Sequence, residues 1–159
     1  MRPSLILASS STARATLLRN AGIVFEIYPP KIDEQMIKES MIFENLSCRD
    51  MADQLAEMKA SKVASKFPDS FIIGSDQILE YQGQVISKPQ SKAELFAQLQ
   101  AFQNKTHRLF TSAVIYHENR PVWRHISKVD VSFRFLPDKV LTAYIDQFWD
   151  HIQYCVGGY

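Results

Sequence analysis

The chain has 159 residues, 46% of them apolar and 22% charged, and eighteen basic side chains against seventeen acidic ones leave a formal charge of +1. That length builds one domain with a sizeable core, or two small lobes sharing a sheet. The even charge excludes a strong global field for nucleic acid or an anionic membrane, so any phosphate binding has to come from a local cluster.

Arg2 and a short apolar patch open the chain, but polar residues follow at Ser9, so this is neither a signal peptide nor a membrane span. Cys48 and Cys155 lie far apart and are read as reduced thiols, with a cytoplasmic location as the default. Ser4–Ala8 reads as a first strand. Thr12–Ala21 reads as a helix with Leu17 and Leu18 on its apolar side and Gly22 as its stop. Phe25–Tyr28 is a second strand, broken by Pro29-Pro30, and Asp33 to about Phe43 is weakly helical. Arg49–Phe67 is a stronger helix, with Met51, Leu55, Met58 and alanines forming its stripe and Pro68 ending it. Lys59, Lys62 and Lys66 fall at helical spacing on another side, the pattern of a solvated face.

Phe71–Asp76 reads as a buried central strand, its apolar run Phe71-Ile72-Ile73 ending abruptly in Gly74-Ser75-Asp76-Gln77 with Asp76 at its exit. Ile78–Tyr81 and Val85–Ser87 flank Gln82-Gly83, a hairpin turn. Ser91-Lys92-Ala93-Glu94 is a capping box opening a helix to Phe102. Extended segments near Thr106–Tyr116 and Val122–Phe135 follow, separated by Glu118-Asn119. Val129, Val131 and Phe133 alternate there with polar residues, as on a half-buried strand. Pro137-Asp138 starts a last helix towards Phe148. No repeat, linker or low-complexity tract interrupts the series, and the order of elements is mixed α/β.

Four places carry residues that packing does not require. A strand running into Ser9-Ser10-Ser11-Thr12-Ala13-Arg14 puts serine hydroxyls and a guanidinium at a helix start, a seat for an anion. Taken alone, an ordinary serine cap beside a solvated arginine is the commoner explanation. Asp33, Glu34 and Asp76 are hard oxygen ligands suited to Mg²⁺ or Mn²⁺, and Asp76 is alternatively a base that activates water. Asp33-Glu34 on its own fits a solvated loop or a helix cap equally well. Asp76 is the stronger signal, as an acid expected at the carboxyl edge of a sheet, where α/β proteins place ligands. Lys88-Pro89 follows the hairpin, where a turn lysine on the surface is the plain alternative.

Five glycines provide neither a GxxxxGK[ST] loop nor GxGxxG. The four histidines do not pair at zinc-ligand spacing, and no serine sits in a GxSxG elbow. The chemistry left is metal-assisted attack on a phosphate, with cationic side chains in place of a glycine-rich cradle.

Taken in order, these pieces resemble the Maf family of nucleoside triphosphate pyrophosphatases. The family opening L-A-S-x-S-P-x-R-x-x-L-L matches Leu7 to Leu18, with Thr12 in place of proline, and its D-E pair matches Asp33-Glu34. Its A-x-x-K-A helix matches Ala56–Ala60, G-[AS]-D-[TQ] matches Gly74–Gln77, and K-P matches Lys88-Pro89. T-H matches Thr106-His107, and F-R matches Phe133-Arg134. The resemblance implies a mixed central sheet flanked by helices, of the Maf/ITPase kind, as a single domain over 1–159. It implies hydrolysis of a nucleoside triphosphate to the monophosphate and pyrophosphate with a divalent cation, Mg²⁺ or Mn²⁺. By position, Asp76 is implied as proton acceptor and metal ligand, and Glu34 as metal ligand or water-orienting group. Ser9, Ser11, Arg14, Lys59 and Lys88 would hold the triphosphate.

Gln77 is similar to the subgroup acting on 7-methyl-GTP, whereas Ala13 stands where the subgroups carry tryptophan or arginine, which leaves base preference open. Family members continue beyond the glycine-tyrosine matched by Gly158-Tyr159, so the C-terminal part of the second lobe is expected to be missing. Uncovered apolar surface and a homodimer as the candidate assembly are expected with it, along with activity below that of a full-length relative. Neither nucleic acid nor membrane is expected as a partner. The rival readings are a non-catalytic nucleotide-binding protein and an interaction protein related to septum formation.

Overall fold

Capping side chains set most helix starts in the computed structural model, which describes residues 4–159 and leaves Arg2 outside the described residues. The elements run β1 (Leu5–Leu7), α1 (Thr12–Asn20), β2 (Glu26–Ile27), α2 (Glu34–Phe43), α3 (Cys48–Ala64), β3 (Phe71–Tyr81), β4 (Gln84–Ile86), α4 (Lys92–Phe102), β5 (Thr106–His117), β6 (Arg120–Ser132) and α5 (Asp138–Ile152). Ser11, Asp33, Ser47 and Ser91 each accept the backbone N–H three residues on, satisfying a donor the helix start leaves unpaired. The capping box at Ser91 is half as expected. Glu94 turns its carboxylate to the N–H of Gln90, 2.9 Å away.

The strands are hydrogen-bonded in the order β2-β1-β3-β5-β6, with β4 paired to β3. β1 runs parallel to β2 and to β3, with Leu7 opposite Ile73, and β4 runs antiparallel to β3. This is a mixed sheet flanked by helices, as the sequence leads one to expect. Both two-residue turns adopt positive φ, at Gln82-Gly83 and at Glu118-Asn119, the backbone that tight hairpins require.

The described residues gather into two compact units, one running up to Asp76 and including Thr111–Ser127, the other of Gln77–Phe110 and Lys128–Tyr159. The first has a core of Ile6, Ala8, Ala56, Ala60, Val63, Ile72, Val114 and Tyr116, where α3 lies on β1, β3 and β5. The α3 stripe is therefore alanine-rich for a reason: small side chains let the helix approach the sheet. Met58, expected in that stripe, is instead 37% exposed, and Leu17, expected on the apolar side of α1, is 69% exposed. On α1 the inward position belongs to Ala15.

The second unit is built on Leu79, Leu95, Leu99, Phe102, Leu141, Ile145 and Ile152. His107 is buried in it, stacked on Phe102 with ring centroids 4.3 Å apart, and its Nε2 lies 2.6 Å from the Tyr159 hydroxyl. Nδ1 is buried without a partner among the described residues, so the imidazole is accommodated in its neutral form. Burial lowers the His107 pKa from 6.5 and pushes Tyr159 up to about 12. Because the unfolded chain binds the proton more readily, this contribution is fully present above about pH 6.5 and is lost as pH falls towards the depressed value. The urea midpoint is expected to drop between pH 7.5 and pH 5 in the wild type. In His107→Gln that part of the slope should flatten, and equal slopes would show that His107 is not its source.

Candidate active site

β1 and β3 run side by side only as far as Leu7 and Ile73, after which Ala8 donates to the Ile73 carbonyl and the first chain leaves for α1. Beyond that point β3 continues, and this corrects the expected strand end: Asp76 lies in the middle of an eleven-residue strand, not at its exit. What ends there is its neighbour. The side of β3 vacated by β1 is where Asp76 faces the Ser9–Arg14 turn, so the expected sheet edge exists but belongs to β1.

Gly74 sets the distance between helix and strand. A Cβ at Gly74 would lie 2.1 Å from the Ala56 carbonyl oxygen and 2.7 Å from the Ala60 nitrogen, so α3 rests directly on the β3 backbone. Lys59 leaves α3 beside that contact. Its Nζ is 3.2 Å from Asp76 Oδ1 and 2.9 Å from Glu34 Oε1, with the lysine 3% exposed. The reading of Lys59 as part of a solvated face is thus overturned, while Lys62 and Lys66 are exposed. A buried ammonium needs paired, hydrogen-bonded surroundings, and the two carboxylates supply them. The sequence held the signal: Ala52, Leu55, Ala56, Lys59, Ala60 and Val63 fall on one helical stripe, and all are buried.

Arg14 completes the group. Its Nη2 is 3.6 Å from Asp76 Oδ1, and its Nη1 donates to Ser9 Oγ at 3.2 Å. Ser9, buried, also accepts the N–H of Ser11 at 3.1 Å, so both acceptor positions of its hydroxyl are used and its proton is left to donate. Ser11 is the cap of α1, accepting the Arg14 N–H at 3.3 Å. The acidic pair divides its work: Asp33 caps α2 through the Met36 N–H at 3.0 Å, and Glu34 reaches Lys59. Lys38, which the sequence reading passed over, sits 4.0 Å from Glu34 one helical turn on.

Asp76 and Glu34 therefore meet Lys59, Arg14 and, at the margin, Lys38 in the first unit. Asp76 is asymmetric among them. Oδ1 receives Lys59 and faces Arg14, whereas Oδ2 is buried without a hydrogen-bond partner among the described residues. Such an orphaned oxygen is costly unless a ligand, water or ion uses it. Among the described residues no three His, Cys, Asp or Glu side chains converge as a metal cluster. A hard cation on Asp76 and Glu34 would take its remaining ligands from water and phosphate, which is the usual way Mg²⁺ is held.

The model of the family described as Maf-like protein matches residues 4–159. The chain belongs to the Maf family. A Ruegeria pomeroyi protein named nucleoside triphosphate pyrophosphatase is 43% identical over 159 residues, covering 100% of this chain and 80% of that protein. A protein of Ruegeria sp. strain TM1040 with the same name is 41% identical over the same span and shares. Among solved structures, a HAM1 protein from Coxiella burnetii matches with a TM-score of 0.53 at 13% identity, over 80% of this chain and 70% of that one, a likeness of fold.

Against the Maf family motifs, the first unit unites Ser9, Arg14, Glu34, Lys59 and Asp76, with Ser11 as the adjoining cap and Ala13 exposed on α1. Gln77 and Lys88 belong to the second unit. Gln77 follows Asp76 along β3 and is half-buried; Lys88 is exposed after β4, its carbonyl accepting from Gln90 Nε2 at 3.1 Å. Among the described residues no helix is long and apolar enough to cross a membrane.

Proposed function

We propose that the protein is a cytoplasmic nucleoside triphosphate pyrophosphatase that splits the α–β phosphoanhydride, with Asp76 as the base. The observation that carries the reading is the asymmetry of Asp76, one oxygen anchored by Lys59 and the other buried and unpartnered. A carboxylate held that way has a fixed orientation and a lone pair free to take a proton from water. The water oxygen adds to the α-phosphorus, the bond to the bridging oxygen breaks, and pyrophosphate leaves with that oxygen and the bond's electron pair. The proton passes to Asp76 Oδ2.

The other residues hold the anion. Ser9 has a hydroxyl proton to give, Arg14 a planar fork beside it, and the α1 start contributes unpaired N–H groups and the positive end of its dipole. The Lys59 ammonium has three N–H donors, two of them directed at Glu34 and Asp76, which leaves one for a phosphate oxygen. Because these cations are in place beforehand, they stabilise charge on the leaving group where it develops. Glu34 and Asp76 would hold Mg²⁺ or Mn²⁺, an ion that when bound offsets charge on the phosphate oxygens. Lys88 and Gln77 enter the reading through their motif positions, as contacts to the phosphates and the base.

The test is pyrophosphate release from a panel of nucleoside triphosphates, 7-methyl-GTP included, with either metal. Metal-dependent release of pyrophosphate together with the monophosphate is the expected result. Binding of triphosphates by folded protein without any release would overturn the enzymatic reading in favour of a binding protein.

A further inference from the structure

Away from the active-site cluster, α3 carries a second polar group that the reaction does not use. Asp53 and Glu57, one turn apart, both receive the Arg124 guanidinium of β6, Nη1 on Asp53 Oδ2 and Nη2 on Glu57 Oε2 at 2.5 Å. Each carboxylate has a further partner on β5. Ser112 donates to Asp53 Oδ1 at 3.0 Å, and the Tyr116 hydroxyl donates to Glu57 Oε1 at 2.8 Å. Every oxygen of the two carboxylates is therefore taken, and two strands are tied to one helix face. The Tyr116 bond holds the Glu57 pKa below its usual range against the opposing push of burial, with Arg124 adding to it. Burial and Glu57 in turn lift Tyr116 to about 12. Both groups keep the protonation states that the clamp needs through the neutral range.

The placement on α3 gives the clamp its consequence. At about 100° per residue, Lys59 projects roughly 60° to one side of Ala56, while Asp53 and Glu57 project about 60° and 100° to the other. Between them Ala56 and Ala60 touch the Gly74 backbone, closely enough to act as a pivot. That line carries only the small side chains Ala52, Ala56, Ala60 and Val63, so much of the resistance to rotation about it falls to the two flanks. One flank is the Lys59 bridge to Asp76 and Glu34, and the other is the Arg124 clamp.

We propose that the Asp53–Glu57–Arg124 clamp, braced by Tyr116 and Ser112, is a positioning device that sets the roll of α3 and so holds Lys59 Nζ between Glu34 and Asp76. Arg124 acts through Lys59 and touches no reacting group. The kinetic consequence rests on the pyrophosphatase reading; the geometric one does not.

The test uses the full chain, with Arg124→Met, Arg124→Lys and Tyr116→Phe beside the wild type. Acetic anhydride labelling, read by mass spectrometry under conditions where each protein is folded, reports Lys59 directly, and exposed Lys62 on the same helix is the internal standard. In Arg124→Met, Lys59 is expected to label about fivefold faster relative to Lys62, as a local opening would expose it. The kcat for pyrophosphate release is expected to fall about tenfold with KM moving less, since sub-ångström misplacement acts on the transition state. Arg124→Lys should recover part of both. Tyr116→Phe, which keeps the ring and the fold, should shift both in the same direction by less. Unchanged Lys59 protection in folded Arg124→Met overturns the proposal, and so does a parallel rise at Lys59 and Lys62, which would mean general loosening of the helix. A wild type that releases no pyrophosphate sinks the enzymatic reading instead, and the labelling result still decides the clamp.

Discussion

Asp76→Asn is expected to lower pyrophosphate release by about a thousandfold, within the range general-base catalysis contributes, while the protein still folds. The amide keeps the shape but has no basic oxygen at the position where Oδ2 is now unpartnered. Its effect on stability is tempered by geometry. Removing one member of a buried ion pair costs about 3–5 kcal/mol when the other is left alone, but Lys59 retains Glu34 at 2.9 Å. A loss nearer about 2 kcal/mol is expected, readable as a lower urea midpoint. Glu34→Gln should cost less, because Glu34 is 40% exposed and water can replace part of what it offers Lys59. The comparison of kcat across the two variants separates a base from an auxiliary carboxylate. If Asp76→Asn retained wild-type turnover, Asp76 could not be the proton acceptor and its orphaned oxygen would need another account.

The second large effect concerns a residue that performs no chemistry. Gly74→Ala should destabilise the first unit by about 3 kcal/mol or more, because the added carbon meets backbone rather than a side chain that can swing away. The Ala56 carbonyl and Ala60 nitrogen, 2.1 and 2.7 Å from that carbon, can move only if α3 moves. For a chain of this size the expected fall in Tm is about 10 °C. Activity should fall further than stability alone explains, measured at a temperature where the variant is still folded, because lifting α3 carries Lys59 off Asp76. A variant melting within a degree or two of wild type would show that α3 does not rest on β3 at this point.

What could be read from the sequence was what depends on short stretches of chain. The caps at Ser11 and Ser91 each act on an N–H three residues away, and the Gln82-Gly83 turn is a matter of two φ angles, so these signals are complete within a few residues. The order of the motifs from Leu7 to Arg134 carried the family, and with it the mixed sheet. Asp76 stood out because an acid after Phe71-Ile72-Ile73 has no packing reason to be there. Tertiary structure decided which carboxylates Lys59 meets, which member of Asp33-Glu34 caps and which reaches the site, and why Gly74 must be glycine. It also placed Asp76 within β3, since the edge it faces is made by a different strand ending early. The Arg124 clamp was out of reach of sequence reading for the same reason. Lys59 meets Asp76 across 17 residues and Arg124 meets Asp53 across 71, and burial at such positions is fixed by which surfaces the fold brings together rather than by the residues alongside.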